Sequence, residues 1–330
     1  MSKSKYAAIL GVYGKPSDRF MACGYRDRKF TTEDLITLAG KQGIVQGIEM
    51  TEGPDDLINL SNHKEVQAAL NHYGLKLCSL NPNLWGELQW AKGTIGAADA
   101  KVRRLAIDRI KSSMDLAAEM GCDTVGIWPG QDGFDYLFQV NYQRVYEWWV
   151  QGIQECADHL PQIKLGLEYK PYEPRTHSFL STNAKTLLLL KDVQRENVGV
   201  VFDVGHSLFA HESLGEVVAL SQQRNKLFHI HLNDNYADWD WDMNFGSVHI
   251  LDFIEMIYWL KRTHYEGWYS VDIFPYRTDG PESVGESILW LQALEDLVDS
   301  TNLNKLGELI EQDDPISVSR TLRELVIHHR

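Results

Sequence analysis

Glu168 and Lys170 stand two apart in the stretch GLEYKP. On an extended strand that spacing points both side chains the same way, so a carboxylate and an ammonium share one place. A structural salt bridge would use the same pair. Some thirty residues on, VVFDVGH delivers Asp203 from an apolar run and then, through a tight glycine-containing turn, His206. Carboxylate and imidazole are ligand types of a Zn, Mn or Co site, and the three-residue step lets both reach one ion or two neighbouring ions. In LFHIHLND, His229, His231 and Asn233 fall on one face. Two imidazoles pointing into a barrel interior are hard to explain as packing alone. His231, nearer the strand end, is the expected ligand; His229 is expected behind it or against a substrate. The next loop, NDNYADWDWDMNFG, alternates Asp238, Asp240 and Asp242 with tryptophans, giving one acidic edge of hard oxygen donors that repel one another unless a cation or protons intervene. Finally, Asp272 interrupts the apolar run YSVDIFPY at its carboxyl end. A loop-capping role is the alternative for this one residue, but it is the fourth consecutive strand end with a ligand-type side chain.

These residues need a scaffold that brings four strand ends together. Eight short runs rich in strand formers alternate with segments of helical period: residues 7–14, 43–51, 76–84, 124–130, 164–171, 198–206, 227–234 and 268–276. The intervening stretches, such as TTEDLITLAGKQG and VHILDFIEMIYWLKRTHY, are amphipathic, and several close on glycine. Eight strands each followed by a helix predict an α/β fold, a (β/α)8 TIM barrel, in preference to a doubly wound sheet. One barrel over 1–300 accounts for the pattern without an internal linker. Residues 301–330 are then a helical C-terminal extension, expected to make oligomer contacts.

Bulk composition narrows the partners. A formal net charge of -14 opposes binding to a phosphate backbone, so nucleic acid is not expected. No apolar run approaches the roughly 18 residues of a membrane span, and the start MSKSKYAAILGVYG has only a short apolar stretch. The four cysteines are widely spaced with no CxxC pair, which argues against a disulfide scaffold or a thiolate zinc site and for a reducing, cytoplasmic setting. The ten tryptophans and the lack of a glycine-rich phosphate cradle at the eighth strand point towards an unphosphorylated small sugar.

Taken in order, the motifs resemble the xylose-isomerase-like TIM barrels, which include xylose and rhamnose isomerases, tagatose-type epimerases and endonuclease IV. The likeness is carried by Glu168 and Lys170, by Asp203 and His206, and by His231 followed by Asp240, Asp242, Phe245 and Gly246. It is closest to rhamnose isomerase, which also has Asp in the carboxylate-x-x-His motif and His on strand seven. The resemblance implies a first metal held by Glu168, Asp203, His231 and Asp272. A second would be held by His206, Asp240 and Asp242, with Asp203 as a bridge. Mn2+ is the expected ion, with Co2+ or Mg2+ as alternatives. Trp128, in GIWPGQDG, stands where these isomerases wall the sugar site, and Lys170, His206, His229 and Asn233 are the further expected sugar contacts. The implied activity is aldose–ketose isomerisation by hydride shift, with Lys170, Asp240 and Asp242 catalytic, in a homo-oligomer (dimer or tetramer).

Departures leave alternatives. Xylose isomerase has a His and Asp near the second strand's end for ring opening, whereas this strand ends GIEMT, and it has Glu where this chain has Asp203. A ketose 3-epimerase of the same family would use one Mn site and two glutamates, on strands five and eight, to shuttle a C3 proton; here strand eight offers the shorter Asp272 and a DxD replaces the usual arginine loop, and both count against epimerisation. A lyase acting on keto-sugars or carbon-linked glycosides is a further alternative. Endonuclease IV needs histidines at earlier strand ends that SLNPNL and IWPGQ do not supply.

Overall fold

The structure, a computed structural model, describes residues 4–327 apart from 15, 19, 55, 174, 175, 301 and 302. Its centre is a closed, all-parallel barrel of eight strands: β1 (Lys5–Ile9), β2 (Gly47–Glu52), β3 (Lys76–Pro82), β4 (Thr124–Ile127), β5 (Lys164–Glu168), β6 (Val198–Asp203), β7 (Leu227–Leu232) and β8 (Trp268–Val271). Each pairs with its sequence neighbours, and β8 closes on β1 through Lys5 opposite Trp268. All eight predicted runs are barrel strands. All but the second end earlier than the apolar pattern suggests, and at two of them the chain turns at once into helix. After Ile9 the chain coils into a 3-10 turn over Leu10–Tyr13, and after Asp203 it enters a short helix rather than a tight turn.

Period-2 alternation explains which residues face inward. On β2, β5, β6, β7 and β8, Ile48, Leu167, Phe202, Ile230 and Val271 pack outward under the helices and are fully buried. The alternate positions, Glu49, Glu168, Asp203, His229, His231 and Ser270, are polar and equally buried. The crowding inside is set partly by glycine. A Cβ on Gly126 would come 2.3 Å from Asn81 Oδ1, and one on Gly166 would come 2.6 Å from Val201 Cγ2. Absence of a side chain at these two positions lets large polar groups fill the interior.

The outer layer comprises α1 (Thr32–Gln42), α2 (His63–His72), α3 (Ala100–Glu119), α4 (Tyr142–His159), α5 (Asn183–Val193), the short α6 (Val204–Phe209), α7 (Leu214–Gln222), α8 (Ile250–Arg262) and α9 (Gly280–Ser300). Short polar residues at the N-caps, Thr31, Asp99, Asn141, Thr182 and Ser213, accept from the first-turn backbone and set the direction of each helix as it leaves the strand-end face. Strand-end loops also build a three-stranded antiparallel sheet from Gly133–Phe134, Tyr172–Glu173 and Thr176–Ser178, which the apolar periodicity does not announce. Beyond α9, α10 (Leu303–Glu311) and α11 (Pro315–Ile327) pair with each other. Leu306 of α10 is buried, whereas no residue of α11 is.

Candidate active site

Glu168, Asp203, His231 and Asp272 converge at the carboxyl ends of β5 to β8, with one donor atom from each within 4.8 Å of the others. His231 Nδ1 is the hub, 3.6 Å from Glu168 Oε1, 3.6 Å from Asp203 Oδ2 and 3.5 Å from Asp272 Oδ2. No hydrogen bond engages that buried nitrogen among the described residues. Donors each about 2.1 Å from a shared ion stand about 3.0–3.5 Å apart, so this set fits a divalent cation. The charges agree. Burial, together with Asp203, Glu168 and Glu49, pushes the Asp272 carboxyl up to about 8 despite His231. Burial acts against a charged His231 as well, yet Glu49 and Glu168 hold it well above the usual imidazole range. Surplus negative charge of this kind is what a cation relieves.

The ligands are held from behind. Glu49, at mid-strand in β2, receives His229 Nε2 at 2.9 Å and His231 Nε2 at 3.1 Å, and Asn81 Nδ2 also donates to it. Engaging Nε2 fixes the ring so that Nδ1 faces the carboxylates, the usual device for orienting a metal-binding histidine. The Glu49 carboxyl, although fully buried, is held well below the usual range because His231 and His229 outweigh the desolvation. Glu49 is the principal site residue that sequence reasoning missed. Its signal was present: a lone carboxylate inside the apolar run GIVQGIEMT must have a partner, but the partner lies 180 residues away. His229 is therefore turned towards Glu49, its ring edge-on to His231 at 5.3 Å. It does not reach the mouth where a sugar contact was expected. Asn233 likewise lies under the ligands, donating Nδ2 to both oxygens of Asp203 and accepting from Gly205 N at 2.6 Å.

A second donor group shares one member. Asp203, His206 and Asp240 place donor atoms within the same 4.8 Å limit. Asp203 caps α6, accepting from His206 N at 2.8 Å, which swings the imidazole back over the barrel mouth. His206 Nε2 lies 3.2 Å from Asp240 Oδ2, and Nδ1 lies 3.3 Å from Glu168 Oε1. The same Asp240 oxygen is 2.8 Å from Lys170 Nζ, and Lys170 also binds Glu173. Burial alone would discharge this lysine; Asp240, Glu173 and Asp242 override it and keep the ammonium charged. His206 is raised to about 9 in the same way, by Asp203 and Asp240 against burial. Asp242 is not among this group's donors, yet it lies near enough that burial, with Asp240 beside it, pushes its carboxyl well above the usual range. Its backbone has φ 47°, which breaks the extended alternation expected of DWDWD, and its carbonyl accepts from Phe274 N. Asp238 is exposed and accepts from Trp241 Nε1 at 2.7 Å. The loop carrying these residues is pinned at its base, where Asp234 and Met243 exchange backbone hydrogen bonds and the Asp234 carboxylate accepts from Val248 N and His249 N. Trp128 is half-buried beside Lys170, whose Nζ is 5.4 Å from the ring centroid, with Trp85 packed edge-on at 5.1 Å.

The profile of the xylose isomerase-like TIM barrels matches residues 37–294, most of the barrel. The chain belongs to that family. Family members differ in chemistry. A xylose isomerase of Thermus thermophilus is 27% identical over 227 residues, covering 67% of this chain and 59% of that one, so the chain spans less than two thirds of this curated relative. Among solved structures, the D-psicose 3-epimerase of Clostridium cellulolyticum H10, determined with D-tagatose, superposes with a TM-score of 0.69 at 14% identity, over 88% of this chain and 99% of that one. A 3-keto-D-glucoside 4-epimerase of E. coli superposes with a TM-score of 0.65 at 16% identity, over 88% and 100% respectively. At these identities the structural likeness establishes the family's fold in this chain.

Proposed function

We propose that this protein is a divalent-metal-dependent sugar isomerase that inverts a carbon next to the carbonyl of a small ketose by proton transfer, in the manner of the ketose 3-epimerases. The observation that carries the reading is the four-donor group with carboxylates arriving from two sides, Glu168 on β5 and Asp272 just past β8. A bound ion, Mn2+ in this proposal with Co2+ or Mg2+ as alternatives, would hold the sugar's carbonyl and hydroxyl oxygens and lower the cost of negative charge there. Glu168 takes the proton from the carbon beside the carbonyl on one face, and Asp272 supplies a proton on the other, or the reverse for the opposite isomer. His206 and Lys170, cationic and buried at the mouth, orient sugar hydroxyls, and Trp128 walls the ring. Supporting this over a two-metal mechanism, Lys170 and His206 already bring positive charge to Asp240 Oδ2, and Asp242 is not among the donors of either group. The epimerase structures that superpose over nearly their full length point the same way.

Incubation with ketose in D2O tests the reading. One solvent deuterium per turnover is expected at the inverted carbon; turnover without incorporation refutes proton transfer. The second reading, an aldose–ketose isomerase working by hydride shift, is favoured by the second donor group, whose buried His206 Nδ1 and Asp240 Oδ1 have no hydrogen-bond partner among the described residues, and by the xylose isomerase relatives. It requires Lys170 to release Asp240 to a second ion and to move to the carbonyl oxygen, and it predicts that no deuterium is taken up.

The same proposal includes a cytosolic homo-oligomer. Cys23, Cys78, Cys122 and Cys156 are all unpaired, as suits a reducing compartment. Ile316, Val326 and Ile327 leave apolar surface exposed on α11, available to a second copy. Ending the chain at Asn302 is expected to lower the assembly state in analytical ultracentrifugation, and an unchanged state refutes that role for α10 and α11.

A further inference from the structure

Beside the metal-ligand group, the strand-end loops enclose a second cavity of about 420 Å3. Its wall is aromatic and continuous. Phe134 stacks on His177 with centroids 5.0 Å apart and planes within 9°; His177 meets Tyr172 at 4.9 Å; Tyr172 meets Phe209 at 5.7 Å. Phe209 then meets Trp239 at 5.5 Å, and Trp239 adjoins Asp240 in sequence. The rings thus run from the small antiparallel sheet to the edge of the candidate site. Three of the segments that line the cavity also carry a site residue: Tyr172 is two past Lys170, Phe209 ends the helix that bears His206, and Asp238 is two before Asp240. Two residues of chain span about 7 Å at most, so the cavity and the metal-ligand group are immediate neighbours.

The cavity also presents polar groups, among them Ser181, Thr182, Asp238 and an unpaired lysine. Lys185, in the first turn of α5, is half-buried on its wall, and among the described residues nothing accepts a hydrogen bond from its ammonium or pairs with it. Burial lowers it from the usual lysine range, with no carboxylate close enough to offset that. His211, at φ 58°, stands on the same wall. A concave space of this size with aromatic faces and a few convergent polar groups has the character of a ligand site. Ring faces suit the C–H faces of a pyranose, and an unpaired ammonium offers three donors to its oxygens.

We infer that this cavity is a subsite for a second sugar ring, so that the substrate class is a glycosylated keto-sugar: one ring at the metal-ligand group, the other lying against the wall of Tyr172, His177 and Phe209 with an oxygen on Lys185. The inference rests on the proposed sugar-isomerase reading for the first ring, but the second ring's binding does not depend on turnover.

The probes are fructose and two ketoses that carry a pyranose on O4, maltulose and lactulose. Their binding to the full chain is measured calorimetrically, with Mn2+ and after EDTA treatment, and their turnover is measured as kcat/KM. At least one two-ring ketose is expected to bind ten times or more tighter than fructose. That preference should shrink to less than threefold in Phe209→Ala and in Lys185→Met, each checked for an unaltered melting temperature. Tyr172→Ala, on an exposed ring, serves if Phe209→Ala fails to fold. A preference that survives Phe209→Ala or Tyr172→Ala together with Lys185→Met, or equal binding of one-ring and two-ring sugars, overturns the subsite. A preference that collapses in the variants while neither sugar turns over upholds the subsite and places the failure in the isomerase reading.

Discussion

Asp203 belongs to two donor groups that balance their charge in opposite ways. On one side, with Glu168, His231 and Asp272, three carboxylates surround a single imidazole whose Nδ1 no hydrogen bond uses. On the other, with His206 and Asp240, the negative charge is met from within the chain, by Lys170 at 2.8 Å from Asp240 and by His206 at 3.2 Å. Both groups keep unpartnered buried atoms, His231 Nδ1 in the first and His206 Nδ1 and Asp240 Oδ1 in the second, but an ammonium of the chain sits against the second group's carboxylate. A buried ammonium thus supplies positive charge to the second group, a difference that supports the proposed one-metal, proton-transferring mechanism over a two-metal one.

The widest separation between the groups should come from removing ligands of the first. His231→Ala or Glu168→Gln is expected to lower kcat/KM by roughly a thousandfold, within the range for loss of a positioned acid, base or ligand. The same variants should lose the rise in melting temperature on adding Mn2+, and retention of both properties would place the metal elsewhere. Lys170→Met addresses the second group. It leaves Asp240 buried without its ammonium and should destabilise the metal-free protein by about 3–5 kcal/mol in urea unfolding. Partial recovery with Mn2+ is expected, because an added cation can then take up the role. A stability equal to wild type would show that the pair does not balance charge as described.

Glu49→Gln tests the support behind the first group. It keeps the shape and removes the charge that fixes His231, and metal affinity should fall about 10–100-fold by titration calorimetry. The smallest expected effect lies outside both groups. Glu212 accepts from Asn183 N, has one buried oxygen without a hydrogen bond, and is pushed up to about 7 from 4.5, chiefly by burial. A carboxyl raised on folding contributes stability that is fully present below its unfolded value and is lost as pH rises through the folded one. Unfolding free energy should therefore carry a decline of about 1–2 kcal/mol between pH 4.5 and 7, discounted for partial exposure, that Glu212→Gln abolishes. An identical pH profile in the variant would dismiss it.

The barrel was legible because alternation between strand and helix period survives along the chain, and the convergence of Glu168, Asp203, His231 and Asp272 was legible because each lies at the end of an apolar strand. Contacts across the barrel were not. Glu49 sits in the middle of its strand, and its histidine partners arrive from β7, so nothing local marks the triad. Asn233 and His229 share the ligand face as the period requires, but which of them reaches the mouth depends on depth, which the period does not encode. The acidic loop misled for a simpler reason. DWDWD reads as extended, yet Ala237 and Asp242 have positive φ, so Asp238 turns out to Trp241 while Asp240 and Asp242 stay close to Lys170. Lys170 beside Asp240 could be anticipated only as an ammonium near the site; that it would settle the second group's charge follows from a loop closure 70 residues further on.

The number of ions per chain tests this account most directly. Native mass spectrometry of the full-length protein after equilibration with excess Mn2+ and desalting should give one tightly held ion per chain, lost in Glu168→Gln. Two tightly held ions per wild-type chain, the second lost in Asp240→Asn, would contradict it and restore the two-metal hydride-shift reading.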